Sequence, residues 1–127
     1  MNAECVVVPV KTLKKEAPLV FEATVDQLDL LENHERAARL KVQRVWKGEV
    51  PEETTGYYVL STVGPFLEVG RSYVFFTRPQ NPGQRHLAGL APVSPARGIW
   101  IGGCSSATPV REQTIQELGR SRPPARR

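Results

Sequence analysis

Arg39-Leu40-Lys41-Val42-Gln43-Arg44-Val45-Trp46-Lys47-Gly48-Glu49-Val50-Pro51 opens with strict alternation. Leu40 and Val42 face one way and Arg39, Lys41 and Gln43 the other, which is the period of a half-buried strand. The alternation then slips. Val45 is apolar where a regular strand would point it outward, and Trp46 follows at once, so a bulge or sharp bend is expected there. Lys47-Gly48 reads as a turn, and Pro51 keeps the strand from resuming directly. A strand that begins near Ala37, bends and ends in Val-Trp-Lys-Gly suits a small, strongly coiled β-barrel. In that setting Trp46 is expected to be structural and to cover one end of the barrel, with Gly48 serving the turn behind it.

Outward from this stretch, Leu19 to Leu30 reads as a long strand. Phe21, Ala23 and Val25 share one face and Glu22, Thr24 and Asp26 the other, while Leu28 and Leu30 continue on the even side, a second hint of bending. Before it, Val10, Leu13 and Ala17 give a short helix one apolar face, and Pro18 ends that helix. After the central stretch, Glu52-Glu53-Thr54-Thr55-Gly56 reads as a polar connection and Tyr57 to Thr62 as the third strand. Arg71 to Arg78 carries Tyr73-Val74-Phe75-Phe76, apolar on both faces, and is expected to be a central strand. Residues 79–98, rich in Pro and Gly, read as a long loop with room for a short strand at His86–Leu90. Ile99-Trp100-Ile101 is the fifth strand. Thr108 and Pro109 read as the N-cap and first residue of a last helix, docked by Val110, Ile115 and Leu118 and closed by Gly119. Five bent strands between two helices predict a mainly β chain: a five-stranded, OB-like Greek-key barrel with a short N-terminal and a C-terminal helix. A β-sandwich needs about seven strands.

The chain of 127 residues suffices for one domain with a real core, expected over residues 3–119. Its net charge of +4 is local. Arg120-Ser121-Arg122-Pro123-Pro124-Ala125-Arg126-Arg127 holds four Arg and no acid, and without it 13 basic face 13 acidic residues. Residues 120–127 are therefore expected to be a disordered, solvated basic tail, and a neutral body does not suggest a nucleic-acid groove. No apolar run approaches the roughly 18 residues of a membrane span.

Catalytic groups are sparse. His34 and His86 lie far apart in polar contexts, without a second ligand at metal spacing. Asp26 and Asp29 are surface-type, and Cys104 has no base placed to activate it. No Gly-rich phosphate fingerprint precedes a helix. A non-enzyme without cofactor or metal is expected. Cys5 and Cys104 leave two states open: free thiols in a cytosolic protein, or a bridge in a mature form restarted with Met. Such a bridge would close a loop of about 100 residues, worth up to roughly 4.7 kcal/mol in the chain-entropy model.

At Cys5-Val6-Val7-Val8-Pro9, Val45-Trp46-Lys47-Gly48 and Cys104-Ser105-Ser106-Ala107-Thr108-Pro109 the chain resembles the netrin-like domains, in particular small bacterial members related to tissue inhibitors of metalloproteinases. The resemblance runs from about Ala3 to Leu118 and includes Phe21-Glu22-Ala23-Thr24-Val25 and Gly70-Arg71-Ser72-Tyr73-Val74-Phe75-Phe76. It implies an OB barrel, a secreted or extracytoplasmic location, a Cys5–Cys104 disulfide, a monomer, and a metallopeptidase or other extracytoplasmic protein as partner. The family's inhibitors begin Cys-x-Cys, whereas the matching residues here are Ala3-Glu4-Cys5. The partner of their first Cys falls near Val63, where no Cys stands. One bridge is thus missing at both ends while the other keeps both. The inhibitory ridge implied by the resemblance is Ala3, Glu4, Cys5, Val6 and Val7 beside Val63, Gly64, Pro65 and Phe66. Met1-Asn2 ahead of Ala3 removes the free amine that the family's inhibitors use to chelate the protease zinc, so weak or absent inhibition is expected. The alternatives are an OB module for single-stranded nucleic acid or oligosaccharide, and a structural domain of an envelope or secreted assembly.

Overall fold

The computed structural model describes residues 8–31, 34–59, 65–79, 98–102 and 106–125. In chain order these form α1 (Val10–Glu16), β1 (Leu19–Leu30), β2 (Glu35–Lys47), β3 (Glu53–Val59), β4 (Ser72–Pro79), β5 (Ile99–Trp100), β6 (Ala107–Pro109) and α2 (Glu112–Leu118). The strands make one mainly antiparallel, barrel-like sheet in the order β1-β2-β3-β5-β4-β6, and a β1–β4 pairing closes five of them into a ring. Among the described strands only β3 and β5 pair in parallel. The expected strands at Leu19–Leu30, in the central stretch, at Arg71–Arg78 and at Ile99 are present; the His86–Leu90 segment lies outside the described residues.

Three register shifts bend the β1–β2 ladder. Val42 faces Ala23 and Arg44 faces Glu22, so Gln43 is an extra residue, and that insertion turns Val45 into the ring beside Leu40 and Val42. Trp46 is then extra between Val45 and Lys47. The third shift puts Asp26 out of step on β1. Inside the ring, Phe21 and Phe75 stack with centroids 5.2 Å apart, surrounded by Val25, Leu40, Val45 and Ile101. The opposite faces of the same strands carry a second core, where Val20, Val74, Phe76 and Trp46 pack under Leu118 of α2 and Leu13 of α1. Trp46 therefore lies against the outer wall of the ring, beneath the helices, and does not cap an end. Seven-residue helices are not stable alone. Lys14 Nζ donates to the Leu118 carbonyl at 3.0 Å, and Lys47 Nζ donates to the carbonyls of Lys14 and Lys15 at the end of α1.

Three expectations change. Glu53 to Gly56 is not a loop but the start of β3, paired with Lys41 to Ala38. Gly56 fits there because a Cβ would come within 2.5 Å of Ile101 Cδ1. Thr108 and Pro109 do not open a helix. β5 meets β4 only at Arg78 and Pro79, which leaves the edge at Tyr73–Phe75 open, and Ala107–Pro109 pairs with it as β6. Pro is tolerated on such an edge strand. The third correction is the tail. Val45 and Arg122 exchange two backbone hydrogen bonds of 2.8 Å, Ala125 N–H donates to the Val50 carbonyl at 2.8 Å, and the Arg122 guanidinium donates to the Gly48 carbonyl. β3 pairs with β2 only as far as Lys41, with one further bond from Val42 N–H to the Glu52 carbonyl, and Arg122 takes up the outward backbone groups of Val45 beyond it.

Deleting residues 120–127 should consequently lower stability in urea unfolding by about 1–3 kcal/mol, the usual cost of orphaned buried polar groups. Replacing Arg120, Arg126 and Arg127 by Ser keeps the backbone and should change stability by no more than about 0.5 kcal/mol. Equal effects of the two changes would show that charge, not backbone pairing, matters.

Candidate functional site

β1 and β4 run antiparallel, as do β2 and β3, so the β1–β2 turn and the segment leading into β4 lie at one end of the ring. That segment is pinned. Leu67 enters the ring core, Gly70 N–H donates to the Val25 carbonyl at 2.7 Å, and Val25 N–H donates to the Arg71 carbonyl at 2.9 Å. Glu68 N–H donates to Tyr73 Oη at 2.9 Å, and the Glu68 carboxylate pairs with Arg71 Nε at 2.9 Å. A pinned backbone holds its intervening side chains out: Phe66 is 67% and Val69 58% exposed. On the adjoining hairpin Leu30 is 76% exposed and Leu31 is exposed as well. Four large apolar side chains thus face solvent at one end, an arrangement that can dock against an apolar surface. Just inside this end, burial pushes the Tyr58 phenol above its ordinary value, with Arg36 opposing the shift.

Of the ridge implied by the resemblance, Pro65 and Phe66 are described, the first buried and the second exposed. Ala3, Glu4, Cys5, Val6, Val7, Val63, Gly64 and Cys104 lie outside the described residues, and so does the expected Cys5–Cys104 bridge. Leu30, Leu31 and Val69 were not singled out from sequence. The available signal was two adjacent leucines running into the polar turn Glu32-Asn33-His34-Glu35.

A concavity of about 340 Å³ lies among α1, β4 and β5, lined by Leu13, Ala17, Phe76, Arg78 and Trp100 among others. Its described lining includes one carboxylate, Glu16, and no histidine. No group of three or more His, Cys, Asp or Glu side chains that could hold a metal occurs among the described residues. The aromatics Phe21, Tyr58, Tyr73, Phe75 and Phe76 are buried, so they offer no stacking platform to bases. No helix among the described residues is long and apolar enough to cross a membrane. The sequence matches no protein-family model and no curated protein.

Proposed function

We propose that this chain is a secreted or extracytoplasmic, non-catalytic netrin-like domain with an OB-type barrel, and that it binds a protein through the Phe66 end. The ring supports the fold assignment. β5 inserts between β3 and β4, and β1 pairs with β4, so neighbours in the ring are not all neighbours in the chain, a Greek-key kind of closure. The observation that carries the function is Phe66 itself: a large aromatic, two-thirds exposed, on a hydrogen-bonded loop that loses little entropy on docking.

Metallopeptidase inhibition is the activity implied by the family resemblance. Its chemistry needs a free α-amine and a carbonyl on one residue, chelating the open position of a catalytic zinc. A chain that carries Met1-Asn2 ahead of Ala3 lacks that amine. A single Cys5–Cys104 bridge would hold the segment less firmly than the two of the inhibitors, so ordering it on binding costs more. Titration against a panel of zinc endopeptidases should show weak or no inhibition by the Met1 chain and at best modest inhibition by a chain starting at Ala3. Tight, zinc-directed inhibition by the Met1 chain would overturn this reading. For whichever protein binds, Phe66→Ser should weaken the complex about tenfold or more, the effect of removing an interface anchor, with the urea midpoint unchanged. Undiminished binding would remove Phe66 from the interface.

A further inference from the structure

β1 has twelve residues, but β4 covers only Leu19 to Thr24, and the chain at Gly70–Arg71 takes up Val25. Beyond that point, among the described residues, β1 pairs on one side only, with β2. Leu31 N–H donates to the Glu35 carbonyl, so residues 31 and 29 direct their backbone groups toward β2. In an antiparallel ladder the alternate residues then direct theirs away. The N–H and C=O groups of Leu28 and Leu30 therefore form an unpaired edge among the described residues. Pro and Lys, two of the usual protections of an edge, do not occur in this strand.

We infer that the Asp26–Leu30 edge of β1 is a strand-addition site for an extended peptide of apolar–basic–apolar pattern, entering antiparallel in line with β4. Leu28 and Leu30 lie on one face of the strand, and Leu28 packs against the ring core. Asp29 and Gln27 lie on the other, joined by a 2.8 Å hydrogen bond. Asp29 has no cationic partner within ion-pair distance among the described residues, whereas Asp26 approaches Lys41 at 3.9 Å. A Lys or Arg directly opposite Asp29 would supply that charge, and apolar residues on either side of it would lie beside Leu28 and Leu30.

A second copy of this chain fits worse. The two-fold register that uses the outward groups of both Leu28 and Leu30 pairs 28 with 30, and so sets Asp29 opposite Asp29. Like charges directly across a ladder are destabilising. Strand addition draws affinity from main-chain bonds and specificity from alternate side chains. The site does not rest on the netrin-like assignment and does not use Phe66, although Leu30 belongs to both surfaces.

The probe is a synthetic octapeptide alternating lysine and valine, with one alternating glutamate and valine for comparison. At a concentration ten times its dissociation constant, the lysine peptide should slow hydrogen exchange of the Leu28 and Leu30 amides about tenfold. The glutamate peptide should bind at least about tenfold more weakly. Leu30→Pro removes an outward N–H and should weaken lysine-peptide binding about tenfold, the loss of one well-made hydrogen bond plus the steric cost of the ring. Asp29→Lys, at an exposed position, should reverse the preference between the two peptides while the urea midpoint holds. Protection at other amides, or no preference between peptides, overturns the proposal. Protection of these amides that rises with protein concentration and needs no peptide would also overturn it, in favour of a second copy.

Discussion

Trp46→Ala should lower the stability of the chain by about 3–5 kcal/mol, the usual cost of truncating a buried aromatic. The side chain is 6% exposed and packs with Val20, Val74, Phe76 and Leu118 in the core between the ring and the helices. Its indole N–H donates to the Gly119 carbonyl at 3.0 Å, just beyond the last turn of α2, and the Arg44 guanidinium lies 5.6 Å from the ring centroid. Arg44 is in turn held by Glu22 at 2.7 Å. One residue thus joins the wall of the ring to the helical layer. Trp46→Phe keeps much of the packing and loses the hydrogen bond, so it should cost markedly less, about 1 kcal/mol for the bond plus the lost area. Equilibrium urea unfolding of both variants, followed by far-ultraviolet circular dichroism, measures the difference. A folded Trp46→Ala with unchanged midpoint and lost partner binding would make Trp46 an interface residue instead.

Gly48→Ala should cost about 2–5 kcal/mol, and the cost has two separable parts. Gly48 has φ of +81°, a left-handed conformation that penalises a side chain by about 1–2 kcal/mol. A Cβ there would also run into Leu19 Cδ2 and come within 2.8 Å of the Pro18 carbonyl oxygen. The leucine can shift, but the backbone oxygen of the α1–β1 link cannot move freely, and overpacking of this kind costs about 1–3 kcal/mol. Gly70 provides the control. Its φ is +88°, yet a Cβ there meets nothing within 4 Å, so Gly70→Ala should show the conformational part alone. Equal losses at the two glycines in thermal unfolding would mean that the α1–β1 link yields and the close approach is unimportant.

Both predictions concern the stretch from Arg39 to Pro51, where local reading reached furthest. The slip at Val45-Trp46 was legible as a bulge because apolar residues stood at positions of the wrong parity, and the ladder does shift there. Sequence could not say that the shift begins at Gln43, nor which face Trp46 would take. With one extra residue Val45 turns inward and Trp46 outward, and without it the reverse holds. The second core on the outer wall follows from that single insertion. Phe66 was visible as a loop aromatic, but its exposure depends on Gly70 bonding to Val25 and on Leu67 entering the core. Leu30 was read only as the end of a strand, and Leu31 was not singled out. They join Phe66 and Val69 at one end because β1 and β4 are antiparallel, a relation between residues some forty positions apart.

Period-two patterning over Leu19–Leu30, the doubly apolar run Tyr73–Phe76 within Arg71–Arg78, and the apolar spacing of Val10, Leu13 and Ala17 were enough by themselves to mark these segments as two strands and a short helix. Those preferences live within a few residues of each other, in side-chain alternation and in Pro and Gly backbone constraints. The tertiary structure alone decided the ring order, the conversion of Ala107–Pro109 to a strand and the pairing of residues 120–125 with Val45 and Val50. In each case the deciding quantity is an unsatisfied backbone group on a distant strand: the edge of β4 that a two-residue β5 leaves open, and the carbonyl and amide of Val45 on the edge of β2 that β3 does not reach. A buried N–H or C=O must find a partner, and where that partner lies depends on which chain ends the closed ring brings past it.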